Sequence, residues 1–175
     1  MKNIVLLMGK SGSGKDTVTD YLVKNYNFKK VISYTTRPRR SLQENCHYFL
    51  SPAEFATIKD NLVAYTQYCG YEYGVTPQLL LNSDIYIIDP IGVETLLSHC
   101  LELDLNPIVV YLRCGDETLS EHMRARGDSE EDIQKRLQYD REAFRNAESY
   151  ANLILDVDES PHPKFIALRI KKYKV

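Results

Sequence analysis

The chain has 175 residues, of which 43% are hydrophobic and 26% are charged, and its formal net charge is −2. This length suits one domain that buries roughly 70% of the surface its unfolded chain would expose. The slightly acidic balance argues against general nucleic-acid binding, and no apolar run reaches the length of a membrane span. The four cysteines form no C-x-x-C pair and no signal-peptide pattern opens the chain, so we expect a reduced, cytoplasmic protein.

The first predicted elements are a buried strand, a glycine-rich loop and a helix. Residues 4–8 are five consecutive apolar residues, which is typical of a strand covered on both faces. Residues 9–15 then fit the phosphate-binding pattern G-x-x-x-x-G-K, and apolar residues recur at helical spacing after them. The alternative is a glycine-rich turn that caps an ordinary helix, but the buried strand directly before the loop favours phosphate binding.

In such a loop the glycines let backbone N–H groups point at phosphate oxygens, and the helix N-terminus adds its positive dipole end. Lys15 supplies a mobile charge for β- and γ-phosphates. The strict pattern continues with Ser or Thr, whose hydroxyl binds magnesium, whereas here Asp16 follows the lysine and Thr17 comes next. Either side chain offers a hard oxygen ligand, so both are candidates for a Mg²⁺ site. The predicted phosphate-binding residues are Gly9, Ser11, Gly12, Ser13, Gly14, Lys15, Asp16 and Thr17.

Strand-like and helix-like segments alternate over much of the remaining chain. Apolar runs predict strands at residues 31–32, 85–88, 108–112 and 153–155. Helices are predicted to begin at Asp116, at Ser129, which forms a capping-box pattern with Asp132, and at Ser160-Pro161. This alternation predicts an α/β fold with a parallel sheet and helices on both faces.

Residues 33–76 interrupt the alternation. The segment is rich in tyrosine, contains short alternating pieces and has a helix start at Ser51-Pro52, so we predict a small α+β insertion over the ligand crevice. Residues 70–74 are typical of a tight turn that presents tyrosines. Residues 33–40 contain three arginines among hydroxyl side chains, and arginine forks match phosphate oxygens. Tyr48 and Tyr73 are candidate donors to the same phosphate, and the alternative is a solvated basic loop.

Two later segments add charged candidates. Asp89 ends an apolar strand, where parallel-sheet enzymes place catalytic carboxylates, and the alternative role is a helix cap. Arg126 and Arg136 flank Gly127 and an acidic stretch, which suggests a hinged lid whose arginines close over a transferring phosphoryl group. For Arg141 we favour surface charge pairing of the kind expected between Glu131 and Lys135.

Together these segments resemble the guanylate kinase family of nucleoside monophosphate kinases, over about residues 4–157. The resemblance implies a three-layer P-loop kinase core (residues 1–32, 77–113 and 141–175), a nucleoside monophosphate-binding insertion (33–76) and a helical lid (114–140). It also implies ATP and Mg²⁺ as cosubstrates, GMP or dGMP as the favoured acceptor, and a monomer or homodimer that binds neither nucleic acid nor membrane. The acceptor-binding positions it implies are Ser33, Arg37, Arg40, Glu44, Tyr48 and Tyr73, and the catalytic ones are Lys15, Asp89, Arg126 and Arg136.

Several positions depart from the family pattern. Ala64 stands where the family has a glutamate that contacts guanine, and Val75 stands where it has a serine. Ile87 replaces an acid, and His122 falls near a family arginine, for which Arg124 is a candidate substitute. The candidates to replace the missing guanine contacts are Gln43, Glu44, Thr66 and Gln67.

These departures leave three alternatives open. The enzyme could accept other bases or have relaxed specificity, because a site without matching polar groups discriminates only by shape. It could be a non-catalytic guanylate kinase-like module that binds a phosphorylated peptide, although the intact phosphate loop disfavours this. It could also be a small kinase with a non-nucleotide acceptor, which the tyrosine-rich insertion disfavours.

Overall fold

The computed structural model describes residues 1–39, 41–159 and 162–174. The strands are β1 (Lys2–Gly9), β2 (Tyr34–Thr35), β3 (Tyr48–Phe49), β4 (Ala64–Tyr68), β5 (Tyr71–Val75), β6 (Ile85–Ile87), β7 (Leu105–Arg113) and β8 (Leu153–Asp156). The helices are α1 (Lys15–Tyr26), α2 (Pro52–Ile58), α3 (Pro77–Leu81), α4 (Pro90–Leu97), α5 (Asp116–Ala125), α6 (Glu130–Ala143), α7 (Ala147–Tyr150) and α8 (Pro163–Ile170). Within the described ranges, no helix has both the length and the apolar character needed to cross a bilayer.

A four-stranded parallel sheet in the order β6-β1-β7-β8 forms the centre of the molecule. Successive residues of β1 point to opposite faces, so Val5 and Leu7 join one core cluster while Leu6 and Met8 join the other. The first cluster includes residues of α1, α5, α6 and α8, and the second includes residues of α3, α4 and α7. Burial of β1 on both faces explains its continuous apolar run and confirms the predicted α/β architecture.

A second, mixed sheet in the order β3-β2-β5-β4 lies between β1 and β6 in the sequence. Strands β2 and β3 pair in parallel, and β5 pairs antiparallel with both β2 and β4. Helix α2 starts with a complete capping box between Ser51 and Glu54, as the sequence predicted. The β4–β5 hairpin turns at Cys69 and Gly70, which have φ angles of 50° and 81°.

Two predictions about local structure were wrong. Residues 31–32 form no strand: Lys30 makes an isolated bridge to Ile85, and the chain then leaves the parallel sheet towards β2. Only Cys69 and Gly70 make the tight turn expected over residues 70–74, because residues from Tyr71 onward pair with β4 as a strand.

The helices predicted from Asp116 and Ser129 are confirmed. The Ser129 hydroxyl accepts the Asp132 backbone N–H at 3.1 Å, as a cap does. Ser160 and Pro161 lie outside the described residues, and the last described helix begins at Pro163, with His162 as its cap.

The second sheet is joined to the parallel sheet through apolar packing. Ala64 and Val75 face each other in the β4–β5 register and are 1% and 0% exposed. They belong to the same core cluster as Leu80 of α3 and Tyr86 of β6. The position of this sheet relative to the phosphate loop is therefore fixed by core packing, which is needed for any site between the two.

Replacement of Leu80 by alanine tests that junction. Leu80 is 0% exposed while its neighbour Leu81 is 40% exposed, so Leu80→Ala leaves a buried cavity and Leu81→Ala does not. We expect Leu80→Ala to lower the free energy of unfolding by about 2–5 kcal/mol and Leu81→Ala by less than about 1 kcal/mol, measured by urea denaturation. Equal losses in the two variants would contradict the assignment of Leu80 to the core.

Candidate active site

Two cavities meet at the phosphate loop. The first, which we call the loop cavity, has a volume of about 580 Å³ and is lined by residues of the loop, of α1 and of the lid segment. The second, which we call the insertion cavity, has a volume of about 200 Å³ and lies between the parallel sheet, the second sheet and α6. Ser11, Lys15, His47 and Tyr73 line both cavities, so a group bound in one lies next to a group bound in the other.

The loop has the conformation its glycines allow. Gly12 and Gly14 have φ angles of 82° and 84°, and a side chain at Gly12 would also come within 2.7 Å of the Leu119 carbonyl oxygen. His122 of α5, which had no assigned role in the sequence, donates from Nδ1 to the Gly12 carbonyl oxygen at 2.7 Å. Helix α5 therefore holds the loop from the side.

Lys15 begins α1, and its ammonium turns back onto the loop. Nζ donates to the carbonyl oxygens of Gly9 (2.6 Å) and Lys10 (2.8 Å). Burial lowers the pKa of Lys15, while the nearby carboxylates of Asp16 and Asp140 act to raise it. The ammonium thus lies at the junction of both cavities and is bonded to two carbonyl oxygens of the loop.

The two candidate magnesium ligands lie beside the loop. Asp16 and Thr17 line the loop cavity, and the exposed Asp16 carboxylate pairs with Lys30 at 3.3 Å. Among the described residues, no group of three or more His, Cys, Asp and Glu side chains is arranged to hold a metal ion.

Arg37 is buried and paired with Glu44. Its guanidinium lies 2.6 Å from Glu44 Oε1, donates to the Pro38 carbonyl oxygen at 2.9 Å and lies 5.4 Å from the centre of the Phe49 ring. Both Arg37 and Glu44 line the loop cavity, so Glu44 orients the arginine there. Arg40, the other predicted phosphate-binding arginine, lies outside the described residues.

Among the other predicted acceptor residues, Ser33 and Tyr73 line the insertion cavity. Ser33 Oγ lies 2.9 Å from His47 Nδ1, and the His47 ring packs edge-on against Tyr73. Tyr48, by contrast, is exposed, packs on Tyr34 with 5.2 Å between ring centres, and lies outside both cavities.

Asp89 is a helix cap and also lines the insertion cavity. As the N-cap of α4, its Oδ1 accepts the Gly92 N–H at 2.8 Å. Its Oδ2 accepts the Thr66 hydroxyl proton at 2.6 Å, and both residues line the insertion cavity. Burial raises the pKa of Asp89, and the hydrogen bonds from Thr66 and Gly92 oppose that rise.

The two arginines predicted to belong to a lid, Arg126 and Arg136, lie near the same carboxylate, that of Asp128. Arg126 lines the loop cavity and donates from Nε to Asp128 at 3.2 Å. Arg136 Nε lies 3.9 Å from the same carboxylate and outside both cavities. Gly127, between α5 and α6, has a φ angle of 93° that only glycine adopts readily, which suits a hinge.

The remaining arginines make surface ion pairs. Arg124 pairs with Glu130 at 3.1 Å and Arg141 with Asp116 at 2.9 Å. The pair of Glu131 and Lys135 expected on the helix surface is also formed, at 2.6 Å.

The sequence analysis missed several residues that line the cavities, among them His47, Asp140 and Tyr68. Asp140 of α6 is 1% exposed and lines the insertion cavity together with Tyr68 of β4. The available signal was helical spacing: Asp140 follows Ile133 and Leu137 on the apolar face of its helix, where an unpaired carboxylate would be costly. Tyr68 lies on the same face of β4 as Thr66, which the alternation of strand side chains would have indicated.

His47 provides a test of burial at this junction. Burial, together with the positive charges of Arg37 and Lys30, lowers the pKa of His47 from 6.5 to about 4. In that range the unfolded chain binds a proton that the folded protein does not, so the free energy of unfolding falls as the pH drops from about 6.5 to about 4. We expect His47→Asn to remove that part of the pH dependence in urea titrations of both proteins, and ¹H–¹⁵N NMR to show a neutral imidazole in this range. An imidazole that titrates near 6.5 in the folded protein would contradict the prediction.

Comparison with known proteins points to one family. A family model described as guanylate kinase matches residues 1–161. The guanylate kinase of Mycoplasmoides gallisepticum is 31% identical over 189 residues, covering 97% of this chain and 92% of that protein. The guanylate kinase of Helicobacter pylori strain 26695 is 32% identical over 171 residues, covering 89% and 80%. The crystal structure of guanylate kinase from Anaplasma phagocytophilum superposes with a TM-score of 0.69 at 18% identity, covering 98% and 83%, which shows a common fold.

Proposed function

This chain belongs to the guanylate kinase family, and we propose that the two cavities are the donor and acceptor sites of a nucleoside monophosphate kinase that phosphorylates GMP to GDP with ATP. The observation that carries this assignment is the meeting of the cavities at Lys15, with the phosphate loop on one side and Asp89, Thr66 and Ser33 on the other. Donor and acceptor phosphates bound in this way lie next to each other, which in-line transfer requires.

We assign the loop cavity to the phosphates of ATP. Backbone amides of the loop that have no partner among the described residues, and the N-terminus of α1, supply the anion site; the Ser11 N–H does not belong to this set, because it donates to Asp140. Lys15 exchanges its contacts with the Gly9 and Lys10 carbonyl oxygens for phosphate oxygens, which is a small movement for a flexible side chain.

Magnesium fits the oxygen ligands beside the loop. Asp16 and Thr17 would hold it, directly or through water, because Mg²⁺ in such sites takes only one or two protein ligands. When bound, the ion neutralises charge on the transferring phosphoryl group.

We assign the acceptor phosphate to Arg37, Arg40 and Tyr73, where the loop cavity adjoins the insertion cavity: Arg37 lines the loop cavity and Tyr73 lines both. Glu44 holds the Arg37 guanidinium in place and balances its positive charge. The monophosphate therefore displaces the Glu44 carboxylate or shares the guanidinium with it. An acceptor phosphate oxygen is already anionic and needs no strong general base, so catalysis here is positioning and charge neutralisation. We further propose that residues 114–140 close as a lid about Gly127, bring Arg126 and Arg136 to the phosphates and exclude water.

The base lies in the insertion cavity in this assignment. Guanine carries N–H donors on its base-pairing edge, and these need buried acceptors for strong discrimination. Ala64 and Val75 are packed into the core, so they do not contact the base. The polar side chains that line this cavity include Asp89, Thr66 and Ser33, and we assign base contacts to them because a carboxylate has further lone pairs to accept guanine protons.

A reducing compartment with ATP suits such an enzyme. All four cysteines are free thiols, two of them buried. We therefore assign the protein to the cytoplasm.

We assign residues 33–76 to the insertion, and the segments on either side of the insertion and the lid to the core.

Lys15→Met tests the donor site. The side chain is nearly isosteric without the charge, so the fold is retained while turnover falls by on the order of 10³-fold or more, as for other charge clamps in phosphoryl transfer. The measurement is coupled ADP release with ATP and GMP. Lys24→Met, an exposed change on the same helix, is the control and leaves turnover unchanged. Retained turnover in Lys15→Met would remove the loop from the mechanism.

Base selectivity is tested with a panel of acceptors. We expect kcat/KM to be higher for GMP and dGMP than for AMP, CMP, UMP and dTMP. We expect Thr66→Val to lower kcat/KM for GMP by about 10–100-fold, which is the loss expected when one hydrogen bond to a charged group, here the Asp89 carboxylate, is removed. Thr95→Val, at a partly buried position of α4 that lines neither cavity, is the control. Similar rates with several bases would show relaxed specificity. The absence of a rate with every monophosphate would favour the phosphopeptide-binding module.

A further inference from the structure

Three residues from distant parts of the chain form a closed ring of hydrogen bonds at the junction of the cavities. The backbone N–H of Ser11 donates to Asp140 Oδ2 at 2.6 Å. The Tyr68 hydroxyl lies 3.0 Å from Asp140 Oδ1 and 2.7 Å from Ser11 Oγ. Both oxygens of the Asp140 carboxylate therefore have a partner, as a buried charge requires.

The direction of each bond follows from the chemistry of the groups. An ionised carboxylate only accepts hydrogen bonds, so Tyr68 donates its one proton to Asp140. The Tyr68 oxygen is then left as an acceptor, and Ser11 Oγ must donate to it. Each of the three bonds thus has one allowed direction, and the ring fixes both the backbone and the side chain of Ser11.

The ring connects the three segments that must act together in the reaction. Ser11 belongs to the phosphate loop. Tyr68 belongs to β4, the strand of the insertion that also carries Thr66, and Asp140 belongs to α6, one turn after Arg136. A second set of contacts runs beside it: Tyr139 donates to the Gln67 carbonyl oxygen at 2.9 Å, and the Tyr68 and Tyr139 rings pack edge-on at 4.8 Å. Consecutive residues of α6 therefore hold consecutive residues of β4.

We propose that Asp140 and Tyr68 are positioning residues for phosphoryl transfer, which hold the donor loop, the acceptor insertion and α6 at the separation that in-line attack requires. This inference rests on the proposed function, because it assumes that ATP and the monophosphate bind in the two cavities that meet at the ring. Neither side chain needs to touch a reacting atom. They act through Ser11 and through the β4 backbone that carries Thr66.

A positioning role predicts a specific kinetic pattern. A misplacement of reacting groups by about 1 Å costs on the order of 10²-fold in rate, whereas separate binding of ATP and GMP depends on contacts that remain. Loss of the ring therefore lowers kcat much more than it changes either KM. Because Asp140 and Tyr68 share one network, removing the second partner after the first costs little more.

The variants are Asp140→Asn, which keeps the size but cannot accept both bonds, and Tyr68→Phe, which removes a single hydroxyl. Their matched controls are Glu142→Gln on the same helix, where the carboxylate pairs with Arg145, and Tyr65→Phe on the same strand, where the hydroxyl bonds to Glu72. Steady-state kinetics with ATP and GMP are measured for each, for the double variant, and for wild type, with thermal unfolding to verify folding.

We expect kcat to fall about 10–100-fold in each single variant, with both KM values within about threefold of wild type. In the double variant we expect no further fall of that size in kcat, and in the controls we expect no change. Unchanged kcat in folded Tyr68→Phe, or a rise in KM alone, would overturn the role. If Asp140→Asn does not fold, Tyr68→Phe decides. A wild-type protein without activity on any monophosphate would overturn the proposed function and this role with it, whereas an active wild type with unimpaired variants would overturn this role only.

Discussion

The buried ammonium of Lys15 is the charge on which the arrangement of the site depends. Burial lowers its pKa, and carboxylates from three separate elements oppose this effect: Asp16 on α1, Asp140 on α6 and Asp89 at the start of α4. Each of these carboxylates favours the charged form of the lysine against the cost of burial. The same elements enclose the junction of the two cavities, so the electrostatic requirement of the lysine and the shape of the site are met by one set of contacts.

The other cations of the site are also paired with carboxylates. Arg37 lies against Glu44, Arg126 against Asp128 and Lys10 against Asp116. A protein of net charge −2 can bind polyanionic substrates in this way, because phosphate groups take over partners that carboxylates hold in the free protein. Exposed pairs of this kind contribute little to stability, so their exchange for phosphate costs little. Buried pairs such as Arg37 and Glu44 instead fix the direction in which the guanidinium points.

One face of β4 contributes both to the hydrophobic core and to the cavity that we assign to the base. On β4, Ala64 faces the hydrophobic cluster while Thr66 and Tyr68 face the insertion cavity. The apolar side chains of Ala64 and Val75 pack at the junction between the two sheets. Polar contacts with a bound group are then left to Thr66 and Tyr68, which lie further along β4. Asp89 then combines a structural role, as the cap of α4, with a place in the cavity. A substitution there is expected to affect both properties, which makes Thr66 the clearer probe of recognition.

The sequence by itself determined those elements that depend only on residues close to one another in the chain. The apolar run of β1, the glycines of the loop, the serine caps of α2 and α6 and the position of Asp89 after β6 each follow from backbone geometry or periodicity over a few residues. Tertiary structure alone decided which distant groups meet. Ser11 and Asp140 are 129 residues apart in the chain and yet are hydrogen-bonded. Tyr48 and Tyr73 looked equivalent in the sequence, but of these two only Tyr73 lines the cavities. Residues 31–32 looked like a strand, but there the chain leaves the sheet. Such outcomes depend on how helices and sheets pack against each other, and local patterns carry no information about the partner that packing brings to a side chain.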